Sequence, residues 1–125
     1  MSITYEFKHA STLTIDEQKH VVKLQIKDIG LMWDDWKEYN TLEKCFVITA
    51  KDGHCVVAWG LAYYDDIEKE WNFSIFVKKM YRRKGIGSKI YRKMKKKLKV
   101  KNNDLRVYRH DETSIAFYNT LQKTK

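Results

Sequence analysis

An alternating apolar segment followed by two closely spaced glycines constrains the fold of this chain more than any other part of its sequence. From Trp71 to Val77 every second residue is apolar, which is the period of a β-strand. Phe76 interrupts the polar face and predicts burial on both sides near the strand's end. The sequence Arg82-x-x-Gly85-x-Gly87 follows, and apolar residues then recur every four positions from Ile90 to Leu98. The pattern predicts a strand, a basic glycine loop and a helix, in that order.

The junction between this strand and this helix has the chemistry of an anion-binding site. Glycines allow a sharp turn and a close approach of the backbone to a ligand. The first turn of a helix has unpaired N–H groups and a partial positive charge, so a phosphate or pyrophosphate fits there. The glycine spacing is too short for a Walker loop and lacks the second interval of the dinucleotide fingerprint. The alternative is a glycine-containing turn surrounded by solvated lysines.

The segment from Val77 to Gly87 resembles the acetyl-coenzyme A (acetyl-CoA) signature of the GNAT N-acetyltransferase superfamily. That signature is a hydrophobic strand ending in valine, an aromatic residue with arginine, and Arg/Gln-x-x-Gly-x-Gly/Ala opening a helix. Residues Tyr81 to Gly87 match it without a gap, although Lys79 stands where the family often has proline. Downstream, Asp111 to Tyr118 is similar to the family's Asn-x-x-Ala-x-x-hydrophobic-Tyr helix.

The resemblance implies a GNAT acyltransferase fold and an enzyme that transfers an acetyl group from acetyl-CoA directly to a primary amine, without a metal. The pantetheine arm would lie along the end of the strand, and the pyrophosphate would bind the N–H groups of the loop. The 3′-phosphate would meet Lys84, Lys89 or Arg92. The cofactor-binding residues implied by the two motifs are Phe76, Val77, Arg82, Arg83, Lys84, Gly85, Ile86, Gly87, Ser88 and Asp111.

Two catalytic roles follow from the resemblance. Tyr118 matches the family's general acid, since a phenol holds a proton near neutral pH and can donate it to a departing thiolate. Its alternative role is that of a core aromatic residue beside Phe117. Glu70 is the carboxylate nearest the start of the strand and is the candidate base, or else a solvated turn residue. His110 titrates in a suitable range but is more typical of a strand end.

The acceptor amine is expected near the first two helices, where Trp33, Asp34 and Trp36 lie close together in sequence. A carboxylate attracts a cationic amine, and the face of a tryptophan ring binds cations. Two tryptophans three residues apart on a helix are also typical of core packing. The sequence leaves open whether the acceptor is a small molecule, a peptide or a protein.

The whole chain, residues 1–125, is predicted to form a single GNAT domain with a mixed α/β sheet. A first strand at Ile3 precedes a helix capped by Thr12 or Thr14, and Leu31 to Lys44 is predicted to be a second helix. After Tyr118 the sequence lacks the Gly-Phe pair and the two strands with which the family usually continues, so the fold is expected to be truncated at its C-terminus. A fifth strand with a free edge predicts a homodimer that completes the sheet or the pocket.

The remaining features bear on partners and compartment. Without a long apolar run or a signal peptide, the chain is predicted to be cytoplasmic, with no membrane partner. Its two cysteines, Cys45 and Cys55, are predicted to be buried free thiols. The net charge is +9, and Lys93 to Lys101 is mostly lysine. This run is either the solvated face of a helix or a surface for nucleic acid or an acidic protein, which would suit a catalytically weak or inactive binding module.

Overall fold

The computed structural model describes residues 2–27, 43–100 and 105–107, which form a five-stranded sheet with a helix on each face. The strands lie in chain order: β1 (Ile3–His9), β2 (Cys45–Asp52), β3 (Cys55–Asp65), β4 (Glu70–Val77) and β5 (Leu105–Val107). β1 to β4 are antiparallel neighbours, and β5 runs parallel to β4. The predicted mixed α/β sheet is therefore confirmed. Within these ranges no helix is long and apolar enough to cross a membrane.

Two helices pack on opposite faces of the sheet. Helix α1 (Ile15–Lys27) covers one face and helix α2 (Ile86–Leu98) covers the other. Short 3₁₀ turns span Ala10–Thr12 and Lys79–Tyr81. Most of the predicted second helix and the predicted last helix lie outside the described residues. The exceptions are Glu43 and Lys44, which form a turn before β2 rather than the end of a helix.

The core under α2 contains the alternating residues of β4. Phe73 is fully buried, and its ring meets Tyr91 of α2 edge-on with centroids 5.5 Å apart. Phe76 points to the opposite face, where it stacks on Trp59 at 6.4 Å. Side chains therefore pack on both faces near the end of β4, but the residues from Ser74 to Val77 are only partly buried, so the predicted burial of this end is confirmed only in part. The other alternating residues, Trp71, Ile75 and Val77, are partly buried against the α2 core.

Gly60, in the middle of β3, lets α2 approach the sheet closely. A Cβ atom placed on Gly60 would lie 2.6 Å from Cγ2 of Ile90 and 2.9 Å from the Phe73 ring. Both of these neighbours are fully buried. The absence of a side chain at this position therefore sets the height of α2 above the sheet, and with it the position of the first turn of the helix.

Helix α1 begins with a reciprocal capping box. The Thr14 hydroxyl accepts a hydrogen bond from Glu17 N–H at 3.1 Å, and Glu17 Oε1 accepts one from Thr14 N–H at 2.9 Å. Of the two predicted caps, Thr14 is therefore the one used. The sequence pattern predicts one apolar face formed by Ile15, Val22, Ile26 and Ile29. This prediction is wrong at Ile15, which is 73% exposed, whereas Val21 is fully buried. Glu17 lies one turn before Val21 and faces the sheet, because two lysines there neutralise its charge.

The Glu17 carboxylate is held between the ammonium groups of Lys8 and Lys51, each 2.9 Å away. Its side chain is 3% exposed. Burial alone would raise the pKa of Glu17, but the hydrogen bond from Thr14 N–H and the two ammonium groups outweigh it and lower the pKa to about 2. Folding therefore favours the ionised form of this side chain.

Acid should weaken the protein through this group. The pKa of Glu17 is lower in the folded state than its usual 4.5, so its stabilising effect is complete above that pH and declines as the pH falls toward 2. We expect Glu17→Gln to lower the free energy of unfolding at pH 7 by about 3 kcal/mol and to flatten its decline below pH 4.5. Urea unfolding at several pH values measures both effects. The control is Glu6→Gln, whose half-exposed carboxylate also pairs with Lys8; equal losses in both variants would contradict the prediction.

The two cysteines lie at opposite ends of the β2–β3 pair. Cys45 stands opposite Tyr63, and Cys55 stands opposite Asp52 next to the hairpin turn. Both thiols are free, but only Cys45 is buried, and burial raises the pKa of this thiol to about 12. The prediction of a buried free thiol is thus confirmed for Cys45 and wrong for Cys55, which is exposed.

Candidate active site

The glycine loop connects the end of β4 to the start of α2, as predicted. After the 3₁₀ turn, Arg82 is extended, and Arg83 and Gly85 both have left-handed backbones with φ of 61° and 79°. A left-handed arginine costs about 1–2 kcal/mol, which glycine avoids. The left-handed Gly85 lets the chain turn directly into the first turn of α2.

The first turn of α2 has no side-chain cap. Gly85 is the N-cap residue and has no side chain that could accept from the N–H groups that follow it. The first bond of the helix runs from Lys89 N–H to the Gly85 carbonyl at 3.0 Å. The N–H groups of Ile86, Gly87 and Ser88 precede it and have no earlier helical carbonyl to bond. Together with the helix dipole, these N–H groups are suited to an anionic ligand.

Arg82 holds the loop against the end of β4. Its Nε donates a hydrogen bond of 2.7 Å to the Val77 carbonyl, and its guanidinium carbon lies 5.7 Å from the centre of the Phe76 ring. The side chain thus contacts two of the residues that sequence analysis assigned to the cofactor. Sequence reasoning predicted Arg82 as a ligand-binding residue; in the structure its described contacts fix the loop.

Tyr81 connects the loop to a second part of the sheet. Its hydroxyl donates a hydrogen bond of 2.7 Å to Oδ2 of Asp52, at the end of β2. This bond to Asp52 is the main reason why the pKa of Tyr81 is raised. The sequence contains no signal for this contact, because 29 residues separate the partners. The glycine loop is therefore bound both to β4 and to the β2–β3 hairpin.

The hydrogen-bond pattern of β4 shows which backbone groups face β5. Lys78 N–H donates to the Val57 carbonyl at 2.8 Å, which makes these opposite residues a hydrogen-bonded pair. Hydrogen-bonded and non-hydrogen-bonded pairs alternate along two antiparallel strands, so Phe76, two residues before Lys78, also directs its N–H and C=O toward β3. The N–H and C=O groups of Ile75 and Val77 point to the side of β4 away from β3. Within the described residues, β5 pairs with β4 only from Trp71 to Phe73. Ile75 and Val77 follow this paired part.

Positive charge surrounds the loop. Lys78, Lys79, Arg83 and Lys84 are all exposed beside it. In the described part of the chain, none of these four makes a salt bridge with a carboxylate. An anionic ligand would therefore meet a positive field as well as directed N–H groups. The same ranges contain no cluster of side chains suited to a metal ion.

The structure brings together most, but not all, of the predicted site. Nine of the ten predicted cofactor residues lie at the end of β4, in the loop or in the first turn of α2. Glu70, the predicted base, is the first residue of β4 and stands opposite Asp65. An eight-residue strand is roughly 23 Å long from first to last residue, so Glu70 lies far from the loop. The other predicted residues, Trp33, Asp34, Trp36, Asp111 and Tyr118, lie outside the described residues.

Comparison with known proteins identifies the family. The sequence matches the Acetyltransferase (GNAT) family over residues 11–121. This match covers most of the chain, including the glycine loop and the segment that contains Tyr118. The protein therefore belongs to the GNAT acetyltransferase family, as the loop motif predicted. Comparison with curated protein sequences found no match.

Solved structures show the same fold. A GNAT family acetyltransferase, SP0256 from Streptococcus pneumoniae, is 18% identical with a TM-score of 0.72, over 97% of this chain and 86% of its own. An aminoglycoside acetyltransferase from an uncultured soil metagenomic sample is 12% identical with a TM-score of 0.68, over 98% and 89%. AAC(6′)-Iy, solved with the bisubstrate analogue CoA-S-monomethyl-acetylneamine, is 12% identical with a TM-score of 0.67, over 97% and 90%. These similarities confirm the predicted GNAT fold.

Proposed function

We propose that this protein transfers the acetyl group of acetyl-CoA to a primary amine. The observation that carries the proposal is the uncapped first turn of α2, preceded by the left-handed Gly85 and surrounded by exposed cations. Its geometry suits a pyrophosphate, which is the charged centre of coenzyme A. The family match and the solved complex of AAC(6′)-Iy with a coenzyme A analogue support the same ligand.

The backbone of β4 refines where the pantetheine arm would lie. The arm would extend from the loop along the β5 side of β4, as a ligand that adds to a strand edge. On that side the N–H and C=O groups belong to Ile75 and Val77, since those of Phe76 point toward β3. We therefore propose Ile75 and Val77 as the backbone partners. Phe76 supports the site through its contacts with Trp59 and Arg82.

The reaction forms an N–C bond and breaks the C–S bond of the thioester. A lysine-like amine has a pKa of ~10.4, so roughly one molecule in a few thousand is uncharged at neutral pH. Recruiting that form costs roughly 4–5 kcal/mol unless a base accepts the proton. We assign the donation of a proton to the departing thiolate to Tyr118. Glu70 is the proposed base. Because it lies at the far end of β4 from the loop, the proton of the amine would reach its carboxylate through a chain of intervening groups.

The proposed acceptor is a primary amine of a small molecule, a peptide or a protein. Two of the similar structures, both from uncultured soil metagenomic samples, are aminoglycoside acetyltransferases, which favours a polyamine-like small molecule for the first trials. Trp33, Asp34 and Trp36 are proposed to receive the cationic amine before it loses its proton, because a carboxylate and aromatic faces both attract a cation. The predicted homodimer remains a prediction that sedimentation at high protein concentration tests.

Acetyl-CoA titration and an assay of thiol release test this function. We expect wild-type protein to bind acetyl-CoA with a Kd of about 10 µM, or roughly −7 kcal/mol. We expect Tyr118→Phe to bind equally well but to release coenzyme A thiol about 100-fold more slowly with an aminoglycoside, a polyamine or a peptide amine as acceptor. The control is Tyr64→Phe, which changes a partly buried ring beside Trp71 and Lys44. Failure of the wild type to bind acetyl-CoA would refute the proposal.

A further inference from the structure

The positive charge of this chain is concentrated in one segment. Residues Trp71 to Asn103 contain 13 of the 25 lysine and arginine residues and none of the 16 aspartate and glutamate residues. The glycine loop accounts for only part of this charge, because most of the cations follow Gly87. An explanation based on the acetyl-CoA site alone therefore leaves the rest of α2 unexplained.

Helix α2 presents its cations on one side. Ile86, Ile90 and Met94 are buried against the sheet. The exposed cations of the helix and its C-cap, here called the α2 basic face, are Lys89, Arg92, Lys93, Lys96, Lys97 and Lys99. At 100° per residue they occupy a sector of roughly 160° around the helix axis. This sector is a continuous cationic surface about three turns long, from Lys89 to Lys99.

Within the described residues, no acidic side chain pairs with the α2 basic face. Across residues 2–27, 43–100 and 105–107, none of the six cations forms a salt bridge. Many of them are three or four residues apart, as are Lys89, Lys93 and Lys97, and like charges at these spacings destabilise a helix. The positive charge of Arg92 also contributes, after burial, to the lowered pKa of Lys95. The stability of the fold therefore does not explain the lysines.

Aromatic rings of the edge strand hold part of the surface in place. The ammonium groups of Lys89 and Lys93 lie 4.9 Å and 5.5 Å from the centre of the Tyr5 ring, and that of Lys97 lies 5.6 Å from the centre of Phe7. Tyr5 and Phe7 belong to β1, at the edge of the sheet. These contacts restrict three side chains that are otherwise among the most flexible. A ligand would lose less side-chain entropy on binding here.

We propose that the α2 basic face binds the phosphate backbone of a nucleic acid, independently of base sequence. Its exposed side chains are cations without interspersed apolar residues, so it lacks the apolar face with which an amphipathic helix enters a membrane. Lysine predominates on this face, and lysine binds phosphate as a point charge. Residues one turn apart have Cβ atoms about 5–6 Å apart, which suits the closely spaced phosphates of a nucleic-acid backbone. Asn and Gln, which read base edges, are absent from it.

Fluorescence anisotropy with labelled 20-nucleotide single-stranded RNA, single-stranded DNA and DNA duplex tests the proposal. We expect all three to bind, with log K falling linearly with log salt at a slope of about −3 for a single strand, as four neutralised phosphates predict. A triple variant that combines Lys93→Gln, Lys96→Gln and Lys97→Gln should flatten the slope of log K against log salt to about −1. It should also weaken binding at least tenfold at low salt. It leaves Lys84, Lys89 and Arg92, the candidates for the 3′-phosphate, unchanged.

The matched control removes the same charge elsewhere, at the exposed Lys19, Lys44 and Lys69. This triple glutamine variant should retain the wild-type slope, and thermal melting checks that both variants are folded. Saturating acetyl-CoA should leave nucleic-acid binding intact, because the substituted lysines lie beyond the first turn of α2. No binding at 50 mM salt, equal loss in the control variant, full competition by acetyl-CoA, or equal affinity for polyglutamate or for anionic vesicles would overturn the proposal. None of these results depends on whether the protein transfers acetyl groups.

Discussion

Replacing Gly85 with valine is expected to abolish measurable binding of acetyl-CoA. Gly85 has a φ of 79°, and a Cβ at this position would meet no atom within 4 Å. The cost of the substitution is therefore conformational rather than steric, and it is largest for a β-branched residue. To relieve it the backbone must leave the left-handed region, which moves the first-turn N–H groups of α2 away from a common point. Since several such bonds act together on one pyrophosphate, we expect affinity to fall at least 100-fold.

Gly53→Val is the matched control for this experiment. Gly53 also has a left-handed backbone, with a φ of 63°, and a Cβ there would likewise meet nothing within 4 Å. Both substitutions should lower the free energy of unfolding by about 1–2 kcal/mol. Only Gly85→Val should change the heat of acetyl-CoA binding in calorimetry. Wild-type affinity in the Gly85 variant would show that the loop does not hold the ligand, even if the protein proved to be an acetyltransferase.

Gly60→Ala is expected to be the most destabilising single-methyl change in the described part of the sheet. The new Cβ would lie 2.6 Å from Ile90 Cγ2 and 2.9 Å from two atoms of the Phe73 ring. Neither neighbour can move freely, since both are fully buried. Helix α2 must rise from the sheet, at a cost of about 3 kcal/mol and roughly 10 °C in Tm. Because α2 carries the turn proposed to bind the pyrophosphate, the affinity for acetyl-CoA should fall as well.

A double-mutant cycle with Ile90→Ala tests the physical cause. Ile90→Ala alone should cost about 2–5 kcal/mol, because it leaves a cavity. It also removes the atom closest to the new methyl group, so the double variant should be at least 1 kcal/mol more stable than the sum of the single effects predicts. Urea unfolding followed by tryptophan fluorescence provides the four free energies. Additive effects would show that Gly60 matters for a reason other than its contact with α2.

The parts of the site that follow from local pattern could be predicted from the sequence. The strand from Trp71 to Val77, the glycine loop and the start of α2 all depend on residues within a few positions of each other, and the structure confirms them. Gly60 also had a local signal, since a glycine inside an apolar strand indicates a close approach. The sequence did not indicate which element approaches, because Ile90 is 30 residues away.

The parts that depend on distant partners could not be predicted. The buried face of α1 includes Glu17, whose partners Lys8 and Lys51 come from two strands, whereas the sequence pattern placed the exposed Ile15 on that face. The hydrogen bond from Tyr81 to Asp52 likewise depends on a partner that is distant in the sequence. Arg82 was assigned to the ligand by its motif, yet its described contacts are with β4. The motif identifies Arg82 as a residue of the loop, but only the structure shows which atoms its side chain contacts.

The double attachment of the glycine loop has a consequence for the kinetics of ligand capture. Arg82 bonds to the Val77 carbonyl and its neighbour Tyr81 bonds to Asp52, so the start of the loop is held at two points. Ordering a loop residue on binding would cost about 1–2 kcal/mol for its backbone alone. Since these residues are already held, association should proceed in one step at a rate set by encounter and charge, without a slow rearrangement. The observed rate should therefore rise linearly with ligand concentration and fall with added salt.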